Sequence, residues 1–100
     1  GFMSYFIFEY LEKNRTFFKG MKFEDFRKNF LVDDKLSREF IEYAKFNEAQ
    51  IDLSNYTEAL KRTLKANIAQ QLFGPNEYEI ILNENDPMLL KVLELEAKNQ

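Results

Sequence analysis

A chain of 100 residues with 45% hydrophobic content, eleven Phe and five Tyr has the apolar area for one modest core and is too apolar for a disordered segment. Its formal charge of −3 argues against a polyanion-binding surface, and the absence of Cys excludes disulfides and thiolate-held metals. Three Gly and two Pro are little punctuation for a many-stranded β fold, so the expected class is all-α, a single small bundle of about five to six helices.

The first predicted helix, Phe2–Lys13, is dense in aromatics: Phe2, Tyr5, Phe6, Phe8 and Tyr10. Met3, Ile7 and Leu11 add to an apolar surface on every side, which predicts a helix buried on most of its surface or packed on another body. These five aromatics are the candidate packing and interaction residues. Residues 14–20 read as a loop, with Gly20 supplying freedom in φ. A short amphipathic piece follows over 23–30, where Phe23, Phe26 and Phe30 share one helical face.

Leu31-Val32 leads into Asp33, a good N-cap, and Leu36, Phe40, Tyr43 and Ala44 repeat at helical spacing to about residue 47. Residues 50–53 read as extended before Ser54, the next cap. The longest helix is expected near 54–73, with Tyr56, Leu60, Leu64, Ile68 and Leu72 in one row. Its exposed positions are expected to be Glu58, Lys61, Arg62 and Lys65. Gly74 fits the position after a helix end and Pro75 stops the helix. Residues 77–82 are ambiguous between helix and strand; helix is preferred because no partner strand is evident. Asp86-Pro87 marks the start of a final helix with Met88, Leu89, Val92, Leu93 and Leu95 on its apolar face. No run of about 18 apolar residues exists, so no membrane span is predicted. Gly1 reads as a cloning remnant, and the opening has no basic region of a signal peptide.

The inventory for catalysis is poor. Without His and Cys the commonest general base and the strongest nucleophile are missing. Ser4, Ser37 and Ser54 have simpler readings, as a residue near the terminus, on a solvated face and at a cap. Asp33-Asp34 reads as a cap and a dipole-favoured first turn rather than a metal pair. Asn83, Glu84, Asn85 and Asp86 lack the Gly and terminal Glu of an EF-hand loop. Two basic stretches, Lys13, Arg15, Lys19, Lys22 and then Lys61, Arg62, Lys65, are outweighed by acidic residues, so they read as solvated faces and intrachain pairs. No cofactor, no metal and no nucleic-acid partner are expected. The triplets Asn14-Arg15-Thr16 and Asn55-Tyr56-Thr57 match the glycosylation sequon, a pattern common by chance.

Several motifs in order carry a resemblance. These are Phe6-Ile7-Phe8-Glu9-Tyr10, Phe23-Glu24-Asp25-Phe26, Val32-Asp33-Asp34-Lys35-Leu36, the run from Ala66 to Gly74 reading Ala-Asn-Ile-Ala-Gln-Gln-Leu-Phe-Gly, Asn76-Glu77-Tyr78, and Asn83-Glu84-Asn85-Asp86-Pro87. Together they resemble the C-terminal helical tail of carboxy-terminal processing proteases, S41 family serine peptidases of the Bacteroidetes type. The resemblance spans essentially the whole chain. It implies a domain excised from a larger periplasmic or envelope-associated enzyme, whose Ser–Lys dyad and PDZ domain lie outside this chain. No catalytic residue carries over. The implied role is an accessory domain packing on the protease core and supporting assembly or substrate access, with self-association as a further partner. The alternative is an independent helical module that binds a partner protein or peptide.

Overall fold

The computed structural model describes residues 2–46, 57–84 and 95. Among them lie six helices: α1 (Phe2–Lys13), α2 (Arg15–Phe18), α3 (Phe23–Asn29), α4 (Asp34–Phe46), α5 (Thr57–Leu72) and α6 (Pro75–Leu82). The fold is an all-α bundle, and no strand occurs among the described residues. α5, at 16 residues, is the longest helix and the hub, packing against α1, α4 and α6. Leu60, Leu64 and Ile68 are fully buried along it, and Ala59, Ala66 and Ala69 let neighbouring helices approach on other sides.

That central position changes the reading of the α5 cations. Lys61, Arg62 and Lys65 are half-buried rather than exposed, and each head finds a partner. Lys61 Nζ sits 2.6 Å from Asp34 Oδ1 on α4, and Arg62 pairs with Glu84 just beyond α6. Lys65 Nζ donates to the Arg27 carbonyl at 2.8 Å and lies 5.6 Å from the Phe26 ring centroid. Burial holds the Lys65 ammonium below its usual pKa.

Asp33 caps α4 as its sequence position predicts, its Oδ1 accepting from the Leu36 amide at 2.8 Å. Leu36, Phe40 and Ala44 point into the core. Ser37 does too, so the solvated face expected for it is incorrect. Its hydroxyl donates to the Asp34 carbonyl at 3.0 Å, and a hydroxyl satisfied within its own helix can be buried.

Residues 14–20 are not the plain loop expected. Arg15–Phe18 forms one helical turn, closed by Phe18 N–H to Asn14 O and anchored by the buried Phe18 ring, while Asn14 Nδ2 donates back to Tyr10 O at 2.7 Å. Gly20 follows with φ +75°. The core here is aromatic. Phe26 stacks on Phe30 at 5.0 Å and meets Phe73 edge-on at 5.6 Å, and Phe18 packs on Phe30 and Tyr10.

α5 ends where predicted. The Phe73 and Gly74 amides both return to Ala69 O, Gly74 takes φ +134°, and Pro75 opens α6 at its first turn. The ambiguous 77–82 segment is therefore helical, with Ile81 buried against α5. Leu95 is helical and half-buried against the core. The expectations for 50–53, Ser54, Tyr56, Asp86-Pro87 and the rest of the final helix lie outside the described residues.

Candidate interaction surface

α1 places the five candidate aromatics on two different sides. Met3 and Ile7 are buried, and Phe2, Phe6 and Tyr10 pack against the core beside them. Phe6 meets Phe40 at 5.3 Å and Tyr43 at 5.4 Å, both on α4, and Tyr10 meets Phe18 at 6.0 Å. On the α5 side, Asn67 Nδ2 donates to Met3 Sδ at 3.0 Å and Gln71 Nε2 to Ser4 O at 3.1 Å. These contacts fix the rotation of α1.

With that rotation set, Tyr5 and Phe8 face solvent, 72% and 56% exposed. Residues three apart share a helical face, so the two rings form one patch, bordered by the exposed carboxylates of Glu9 and Glu12. The expectation of burial on most of the α1 surface thus holds for one side only. Beside the patch, Phe8, Leu11, Phe18 and Leu72 line an open cleft of about 610 Å³, with Arg15 and Lys19 on its rim. Arg15 is engaged at 3.7 Å by Glu12.

Sequence reasoning missed four other exposed apolar side chains: Phe17, Leu31, Phe46 and Ile80. Two of them had a readable signal. Phe17-Phe18 and Leu31-Val32 are adjacent apolar pairs, and in an element that packs on one side only, neighbours set about 100° apart in a helix or on opposite faces of an extended segment are divided between core and solvent. The structure buries Phe18 and Val32 and leaves Phe17 and Leu31 outside.

Of the candidate catalytic groups, Ser4 is exposed and Ser37 is buried within α4, while Ser54 lies outside the described residues. Asp33 caps a helix and Asp34 pairs with Lys61. Among the described residues no group of three carboxylates is placed to hold a metal ion, and no helix is long and apolar enough to cross a membrane.

Fold and surface define a class: a small all-helical domain that presents aromatic side chains to solvent. Within that class the chain belongs to a family of unknown function (DUF8443), whose model matches residues 1–74, from α1 through α5 to Gly74. No curated protein and no solved structure matches it.

Proposed function

We propose that this chain is a non-catalytic C-terminal accessory domain of an S41-type carboxy-terminal processing protease of the periplasm, and that it docks on the protease core through the outward face of α1. One observation supports the docking: Tyr5 and Phe8 stay exposed on a helix whose opposite side is anchored by Met3 and Ile7. Large aromatics with a polar rim are the usual anchors of protein interfaces, and leaving two of them in water is unfavourable unless something covers them. The identity of the partner rests on the resemblance of the ordered motifs to the protease tail. Removing residues 2–100 from the full-length parent tests the reading. The expected result is impaired assembly and slower cleavage of an unfolded substrate. A truncated parent that folds, assembles and cleaves normally would contradict it.

The cleft beside Phe8 favours a second reading, an independent helical module that seats a partner peptide. In that case the isolated domain binds the peptide with no protease core present. Phe8→Glu then abolishes that binding and leaves parent activity unchanged.

A further inference from the structure

On the other side of α1 from the Phe8 cleft, two depressions of about 650 and 700 Å³ share Tyr10, Asn14 and Asp33 as a common wall. One runs along the seam of α1 and α4 to Phe46; the other lies between α1, α2 and α3 and opens between Phe17 and Leu31. Phe46 in the first and Phe17 and Leu31 in the second are 87%, 57% and 80% exposed, so the two adjoining depressions, together a furrow that crosses Tyr10, Asn14 and Asp33, carry three apolar anchor points.

The charges along it have a sign. Five carboxylates line the two depressions, Glu9, Asp25, Asp33, Glu39 and Glu42, against only the two ammonium groups of Lys13 and Lys35. The ion pairs on the rim, Lys35 with Glu39 at 3.9 Å and Lys45 with Glu42 at 3.8 Å, are exposed and weak, and a partner displaces them at little cost. Two phenols register the field. The Tyr10 hydroxyl is pushed above its ordinary pKa by burial and then by Asp33 and Glu39, and Tyr43 by burial and then by Glu9.

We infer that this furrow is a second docking surface, which takes a cationic amphipathic segment of a protein partner. Apolar side chains of that segment would seat on Phe17, Leu31 and Phe46, and its Lys or Arg residues would face the carboxylates. The aromatic walls suit such cations as well, through the negative faces of their rings. A polyanion is the wrong partner for this rim, and an acidic peptide would be repelled. The inference does not depend on what covers Tyr5 and Phe8, because those residues line neither depression.

Fluorescence anisotropy of a labelled amphipathic leucine–lysine peptide against the isolated 100-residue chain tests it, with the leucine–glutamate counterpart as control. Saturable binding of the lysine peptide and none of the glutamate peptide is expected. Glu42→Lys and Asp25→Lys should each weaken binding by about fivefold or more, whereas Glu79→Lys on α6, with the same change in net charge, should not. Leu31→Asp tests the apolar half at a position too exposed to threaten folding, and should weaken binding to a similar degree. Absence of saturable binding would overturn the inference, as would equal affinity for both peptides. Equal losses from Glu79→Lys and the furrow variants would reduce the effect to bulk charge and overturn it too.

Discussion

The α4 cap and the end of α5 are held by single residues, and each makes a prediction. Asp33 Oδ1 satisfies the Leu36 amide, one of the helix's orphan donors, so Asp33→Ala should cost about 0.5–2 kcal/mol in chemical unfolding. Gly74 at φ +134° occupies a region that side chains rarely enter, although a Cβ there would meet nothing closer than Glu77 Oε2 at 4.0 Å. Gly74→Ala should therefore cost about 1–3 kcal/mol through backbone strain rather than through a clash. The Asp34–Lys61 pair gives a pH dependence. The hydrogen bond and charge of Lys61 hold the Asp34 carboxyl below its ordinary 3.8, so the stabilisation is present above that value and is lost as pH falls through the depressed one. The same hydrogen bond raises Lys61 above 10.5, so the pair's contribution is also lost as pH rises through the raised value. Urea unfolding of the native chain and Asp34→Asn should differ at neutral pH and converge at acid pH. The cap was legible in the sequence because its signal is local. The Asp34–Lys61 pair was not, since it joins residues that only the packing of α4 on α5 brings together.

At the level of elements, α5 concentrates the stability. Leu64 and Ile68 are fully buried on the helix that touches α1, α4 and α6, so Leu64→Ala or Ile68→Ala should each cost about 2–5 kcal/mol. Either loss is a large share of the stability of a domain this size, and thermal melting checks it. The Phe26 ring, held between Phe30 and Phe73 and under Lys65, should cost about 3–5 kcal/mol as Ala. The span of α1, the start of α4 and the C-terminal end of α5 could be read from composition, caps and breakers, because those signals are local. The one-turn α2 could not, since its four residues form a helix only because Phe18 has a core to enter. Ser37 was misplaced for a related reason: polarity alone does not report whether a hydroxyl is satisfied inside its own helix.

For the whole molecule, the account rests on one orientation. The sequence of α1 shows aromatics all round, and only its seating on α4 and α5 decides that Phe6 and Tyr10 belong to the core while Tyr5 and Phe8 belong to the surface. The furrow was still less legible, because its carboxylates come from three separate helices and the loop before α4. Tyr5→Glu with Phe8→Glu should leave the helicity and melting temperature of the isolated domain nearly unchanged, because neither ring fills the core. If the domain belongs to a carboxy-terminal processing protease as proposed, the most direct test places the same double substitution in that full-length protease and measures assembly by size-exclusion chromatography together with cleavage of an unfolded substrate. The account predicts a domain that stays folded on a parent that assembles and cleaves poorly. A parent that assembles and cleaves at the native rate with both rings replaced would contradict it.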